Sequence, residues 1–277
     1  MAALDADKPI QLEADGRVVR ITHPGRVLFP DIGATKLEVA RYYLRVAGAI
    51  LPHLEGRPLV LHRFPKGLGG DGFYQKRAPK SRPPWVPTAT LTSPANPDPI
   101  EYVVGGSPAT LLWMVNLGAW EMNPWLARAD DPEHPTHLVV DLDPLGGEFQ
   151  EVCEAALLVR QELEGCGLAP WAKTSGKRGM HVMASLPRRM TYPEVRELLA
   201  AVGRTLDSRQ PERFALEERI RNRRGLIYFD SNQNGYGSTI AAPWSVRPTP
   251  TATISRPLSW EEVARCPAPT LFTIRTV

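Results

Sequence analysis

Three carboxylates carry the first chemical signal in this sequence. Asp141 and Asp143 alternate with Val140 and Leu142 in the run Leu138-Val139-Val140-Asp141-Leu142-Asp143-Pro144. If that run is a strand, its period of two puts both acids on one face, ~7 Å apart at the strand's end. Like charges so placed repel and add nothing to the fold. A divalent ion such as magnesium or manganese removes the repulsion through hard oxygen ligands. Taken alone, the pair reads equally well as a polar strand end entering a loop. Asp230 shifts the balance, because it too ends an apolar run, Leu226-Ile227-Tyr228-Phe229, before a turn rich in Asn and Gly. Three strand-end acids, if gathered, make a two-metal site of the type that clamps the attacking and leaving oxygens in phosphoryl transfer.

A second constellation is Thr174-Ser175-Gly176-Lys177-Arg178-Gly179-Met180-His181. Two glycines in a turn let backbone N–H groups come close to an anion, and Ser175, Lys177, Arg178 and His181 add donors and charge. By itself this is a tight hairpin with exposed basic residues. Beside a metal site it reads better as a triphosphate cradle. Two other matches fail on context. Gly67-Leu68-Gly69-Gly70-Asp71-Gly72 has the letters of the dinucleotide fingerprint, but Pro79, Pro83 and Pro84 forbid the helix that must follow. The calcium-loop pattern grazed by Asp141-Leu142-Asp143 has Leu145 at a ligand position and Val152 where the bidentate Glu belongs.

The elements that must hold these residues are legible from period and punctuation. Arg17 to Thr22, Leu59 to Phe64, Glu101 to Val104, His137 to Asp143, Trp171 to Thr174, Met180 to Ser185, Leu226 to Asp230 and Ser238 to Ala242 read as strands. Thr35 with Glu38 and Thr191 with Glu194 are capping-box starts, and Ser107-Pro108 opens a third helix. Leu37, Ala40, Leu44, Ala47 and Leu51 predict one amphipathic helix, and Phe149 to Leu163 another that Gly165 and Gly167 end. From Lys66 to Asp98 the Gly and Pro density predicts no regular structure of any length. Helices separated by paired strands argue for an α+β class with largely antiparallel sheets.

Composition narrows the classes. With 277 residues, 43% hydrophobic and 23% charged, the chain is an ordinary globular one, long enough to need no disulfide or metal staple. No apolar run approaches the ~20 residues of a membrane span. Cys153, Cys166 and Cys266 are widely spaced and never CxxC, which predicts a reduced, cytosolic chain. The net charge of +3 says little, but basic clusters occur at Lys66, Lys76, Arg77, Lys80 and Arg82, and at Arg219, Arg221, Arg223 and Arg224.

From about Ile21 to Glu262 the sequence resembles the polymerase module of bacterial ATP-dependent DNA ligase D, a branch of the archaeo-eukaryotic primase superfamily. The resemblance rests on an ordered set: His23 to Pro30, Arg63-Phe64-Pro65, Phe73-Tyr74-Gln75-Lys76, Leu138 to Pro144, Ser175 to Val182, Phe229-Asp230, and Ala242 to Arg247. It implies a primase-type fold of one catalytic domain with two packed lobes, 1–135 and 136–277, and mainly antiparallel mixed sheets flanked by helices. It implies a template-directed polymerase that fills gaps or extends DNA ends in non-homologous end joining, with NTPs or dNTPs as substrates. Asp141, Asp143 and Asp230 would hold two ions, manganese or magnesium. Ser175, Gly176, Arg178, Gly179, His181, Gln233 and Arg247 would contact the nucleotide. Arg26 and Lys36 match basic positions that recognise a downstream 5′-phosphate, and Phe73 and Tyr74, with Lys76 beside them, match an aromatic pair that stacks on template bases. Without the resemblance those two aromatics would pass as loop anchors.

Three departures thin the positive charge around the nucleotide. Asn123 stands where the family has His, His62 replaces a basic residue, and Thr249 stands where a second arginine follows Arg247. The KxDG motif of a nucleotidyl-lysine ligase is absent from the sequence. The resemblance therefore implies a stand-alone polymerase in the bacterial cytoplasm, nucleoid-associated and with no membrane partner, relying on the Ku protein and a separate ATP-dependent DNA ligase. A non-catalytic end-bridging protein and a de novo primase are the alternatives.

Overall fold

The computed structural model describes residues 8–93, 96–186, 189–211, 213–216 and 226–277. The chain divides into two compact units, one of Met1–Trp125, Ala241–Ile254 and Phe272–Val277 and one of Leu126–Ile240 and Ser255–Leu271. The arginines at 219, 221, 223 and 224 lie outside the described residues.

In the first unit, β1 (Ile10–Ala14) and β2 (Arg17–Ile21) form a hairpin. Its turn residues Asp15 and Gly16 both take positive φ, as a two-residue Asp-Gly connection requires. β3 (Val27–Phe29) and β4 (Ala34–Thr35) pair, and Thr35 then caps α1 (Lys36–Arg45) by accepting a hydrogen bond from Glu38 N. The apolar period predicted one helix through Leu51. The structure instead breaks it at Val46, which leaves helical geometry (ψ 5°), so α2 (Ala47–Leu54) starts anew with a tightened Ala49-to-Val46 hydrogen bond.

An antiparallel sheet follows, made of β5 (Pro58–Arg63), β6 (Phe73–Gln75), β7 (Thr88–Ser93), β8 (Asn96–Val104) and, after α3 (Pro108–Asn116), β9 (Glu121–Pro124). The order is β6-β5-β8-β7, with β9 also on β5. Three of these strands fall wholly or partly in the segment expected to be irregular. β5 pairs with β8 only at Val103 and Val104, so Pro97 and Pro99 sit on a two-strand extension whose outer side has no partner from β5. Proline is tolerated at such an edge.

The second unit contains β10 (His137–Pro144), α4 (Phe149–Gly165), β11 (Pro170–Thr174), β12 (Met180–Ser185), α5 (Tyr192–Arg209), β13 (Phe214–Ala215), β14 (Ile227–Asp230), β15 (Pro257–Leu258) and α6 (Trp260–Arg265). Thr191 and Glu194 close both halves of the box that starts α5. The six strands run β13-β14-β10-β12-β11-β15, antiparallel except for β13 with β14. α4 packs against β10, β11 and β12. Strand alternation puts the fully buried Leu138, Val140 and Leu142 on one face of β10 and Val139, Asp141 and Asp143 on the other.

Two expectations differ from this architecture. Ser238 to Ala242 is no strand: the chain passes from one unit to the other there, and Ala242 N donates to Met122 O. The division drawn at 135/136 is contiguous, whereas the observed units interleave. Ala242, Val246, Ile254 and Ile274 are buried in the same core as Ile21, Tyr43 and Trp120, and this draws late segments into the first unit.

Candidate active site

β10 is the central strand of the site, and register does the gathering. Asp141 lies opposite Asp230 of β14 on one side and His181 of β12 on the other, and His181 lies opposite Lys173 of β11. Directly paired residues project to the same face, so Asp230, Asp141, His181 and Lys173 form one row across four strands. Asp143 is two residues along the same face of β10. His181 Nε2 is 3.3 Å from Asp141 Oδ1. Asp230 Oδ1 accepts from Asn232 N (2.8 Å), which starts the turn that carries Gln233. Asn234, fully buried, ties that turn to β10. Its amide bonds both the N–H (2.9 Å) and the carbonyl (2.6 Å) of Val139.

Among the described residues no three His, Cys, Asp or Glu side chains are already drawn around one point. The donor set is nonetheless one of hard carboxylate oxygens in mutual repulsion. The packing around the Asp143 carboxyl, then the charge of Asp141, push its pKa up to about 6; Asp230 adds to this, while Arg178 and Lys177 pull the other way. A divalent cation fits such a set in chemistry and charge.

The turn after β11 lies against these acids. Gly176 has φ +72°, which favours glycine. Gly179 has no room for a side chain: a Cβ there would stand 2.5 Å from both Asp143 Oδ1 and Leu142 O. The expectation that the turn's amides face an anion is corrected in part. Lys177 N (3.2 Å) and Gly179 N (3.1 Å) donate to Ser175 Oγ, closing the turn on its own hydroxyl. Lys177 and Arg178 are exposed.

His62, Asn123 and Arg247 are all in the first unit, gathered on one buried carboxylate that sequence reading passed over. His62 Nδ1 is 2.6 Å from Glu121 Oε2, Asn123 Nδ2 donates to the same oxygen (3.3 Å), and Arg247 Nε is 3.2 Å from Oε1. Burial alone would raise the Glu121 pKa, but the His62 hydrogen bond and the Arg247 charge outweigh it and hold it below the usual range. His62 is the cross-strand neighbour of Glu121 on one side and Tyr74 on the other. The His62 and Tyr74 rings stack 4.0 Å apart at 14°. Tyr74 and Phe73 remain 64% and 46% exposed, as loop anchors would not be, and Lys76 beside them is exposed too.

Lys36 is buried, 4% exposed, and donates to Asn116 O (3.1 Å). Desolvation, then repulsion from Arg26, lowers its pKa to about 8. Arg26 is exposed and donates to Pro65 O (2.9 Å).

Residues 35–277 match the family described as LigD, primase-polymerase domain. The chain belongs to that family. The multifunctional non-homologous end joining protein LigD of Pseudomonas aeruginosa is 35% identical over 88% of this chain, and the bifunctional LigD of Bacillus subtilis 30% identical over 94%. The chain spans 29% and 42% of those two proteins. The polymerase domain of Mycobacterium tuberculosis ligase D, solved in complex with DNA, superposes with a TM-score of 0.85 at 28% identity, covering 92% of this chain and 91% of that one. The α+β primase-type fold is thereby shown for this LigD-family domain.

Three residues of the domain escaped the sequence: Glu121, Lys173 and Asn234. Each is a buried polar side chain inside an apolar or turn segment, where nothing but the tertiary pairing tells a buried partner from a solvated one. A weak signal existed for Lys173, a charge placed on a segment otherwise read as strand. Among the described residues no helix is long and apolar enough to cross a membrane.

Proposed function

We propose that this LigD-family primase-polymerase domain is a template-directed nucleotidyltransferase that fills short gaps or extends DNA ends carrying a downstream 5′-phosphate. The observation that carries this reading is the row Asp230–Asp141–His181 across adjacent strands, with Asp143 on the same face. Asp141, Asp143 and Asp230 would hold two divalent cations, manganese or magnesium. When bound, such ions activate the primer 3′-hydroxyl and neutralise charge on the α-phosphate and departing pyrophosphate.

The chain's own residues do the rest. Ser175 Oγ accepts from two amides, which leaves its O–H to donate to a phosphate oxygen. Arg178 and Lys177 supply charge to the triphosphate from the exposed side of the turn. Gln233, held by the Asn234 clip, borders the incoming nucleotide. Glu121 keeps Arg247 and His62 oriented for phosphate and sugar, with Asn123 completing that group. Lys36 and Arg26 take the 5′-phosphate, and Phe73 and Tyr74 stack on template bases near it. Ku and an ATP-dependent DNA ligase are the proposed partners, and either NTPs or dNTPs the substrates.

The test is a gap-filling assay on DNA with and without the downstream 5′-phosphate, with manganese or magnesium and NTPs or dNTPs. Extension that requires the phosphate for full rate and vanishes in Asp141→Ala is the expected result. Binding without extension under every condition would overturn it and leave an end-bridging protein. Synthesis on unprimed template with no phosphate effect would make the domain a primase.

A further inference from the structure

Lys173 has a place in the site that no matched motif gives it. It is fully buried in β11, at one end of the row that runs through His181 and Asp141 to Asp230. Its Nζ contacts His181 Nδ1 closely and Ser255 Oγ at 2.8 Å. The directions of these bonds follow from counting hydrogens. Ser255 has one O–H, and it donates to Thr174 O (2.7 Å). Ser255 Oγ must therefore accept from Lys173. With Lys173 as the ammonium, which is donor-only, His181 Nδ1 accepts as well. A ring nitrogen that accepts carries no proton, and the imidazole hydrogen then sits on Nε2, the nitrogen 3.3 Å from Asp141 Oδ1.

We propose that Lys173 is a positioning residue that, anchored by Ser255, fixes His181 as the Nε2–H tautomer and so presents an N–H toward Asp141 and the reacting phosphates. With the opposite tautomer, Nε2 would turn a lone pair on a carboxylate oxygen and offer no donor to a ligand. The supporting group is conferred by the sheet: Lys173 and His181 are cross-strand partners, so the ammonium reaches the ring only in this register. The catalytic consequence rests on the polymerase reading above; the proton assignment does not.

The assignment is read by long-range proton–nitrogen NMR on metal-free protein, with the His181 signals identified by their loss in His181→Asn. The wild type is expected to show Nδ1 unprotonated and Nε2 protonated. A proton on Nδ1 overturns the proposal without recourse to any variant. In Lys173→Met the Nε2–H population should fall, and kcat for nucleotide addition should drop on the order of 10- to 100-fold, as for other partners that orient site residues, with affinity for DNA ends unchanged. Ser255→Ala should lose less in the same direction, and the double variant should be no worse than Lys173→Met alone. A folded Lys173→Met with unaltered tautomer and kcat refutes the role. If the wild type extends no primer, the polymerase reading falls, and the NMR result still decides this one.

Discussion

Replacing Lys36 with methionine should abolish the preference for a 5′-phosphorylated strand together with its dependence on pH. Lys36 is 4% exposed and its ammonium pKa is lowered from 10.5 to about 8, by desolvation first and Arg26 second. The unfolded chain therefore keeps this proton to higher pH than the folded one. Stability rises between about pH 8 and 10.5, and below pH 8 the buried charge costs at most ~3.5 kcal/mol at ~1.4 kcal/mol per pH unit. A phosphate dianion reverses the preference, because it needs the protonated lysine. The ammonium is roughly nine-tenths populated at pH 7 and one-tenth at pH 9, while the phosphate stays a dianion throughout, so phosphate-dependent affinity should weaken about tenfold over that interval. Loss of a charged hydrogen bond in Lys36→Met is worth ~1.5–3 kcal/mol, or roughly 10- to 150-fold, on phosphorylated gaps alone. The variant should also melt higher than the wild type below pH 8. The assay is fluorescence anisotropy of gapped DNA with and without the phosphate, at pH 7 and pH 9 and one fixed salt concentration. A wild-type phosphate preference that is equal at the two pH values, or one that survives in Lys36→Met, refutes the reasoning.

Gly179→Ala must displace either the Asp143 carboxylate or the Leu142 carbonyl, each 2.5 Å from the new Cβ. It should lower stability by ~1–3 kcal/mol and reduce extension at least tenfold, and a melting curve and turnover matching wild type would show that the turn has slack. Asn234→Ala leaves the N–H and carbonyl of Val139 unpaired on that side. Chemical denaturation should show a loss of ~2–4 kcal/mol, and a change below ~0.5 kcal/mol would mean that water replaces the clip.

Much of this fold is legible because local rules and tertiary structure agree. The alternation in Leu138 to Asp143 specifies a strand with its acids on one side, and Thr191 with Glu194 starts a helix wherever it packs. Asp141, Asp143, Asp230 and the Ser175 to His181 turn could be named for the same reason, since they fall at strand ends or in a glycine turn, whereas Arg26, Lys36, Phe73, Tyr74, Gln233 and Arg247 were named only through the family resemblance. Their mutual arrangement could not be named. Nothing local in Asp141 reveals that Asp230 and His181 flank it, because that depends on which remote strands pair and in what register. Lys173 and Glu121 fail for the converse reason: a charge in a strand reads as solvated until its buried partners are known. The proline-rich segment misled because proline forbids only a paired N–H, and β8 leaves those positions at an edge.

The interleaving of the two units has a consequence for synthesis. A domain made of one contiguous stretch can close as soon as that stretch has left the ribosome, and domains made early generally fold first. The first unit cannot. Val246, Ile254 and Ile274 are buried in its core, and Arg45 of α1 bonds the carbonyl of Ile274, so its interior stays open until residues 241–254 and 272–277 exist. The second unit takes in nothing before Leu126 and has all of its sheet except β15 by residue 240. The nascent chain is therefore set to order the half with the carboxylates while the half with Lys36 still waits for its last stretches of chain. Loss of residues 272–277 would injure the unit that was begun first.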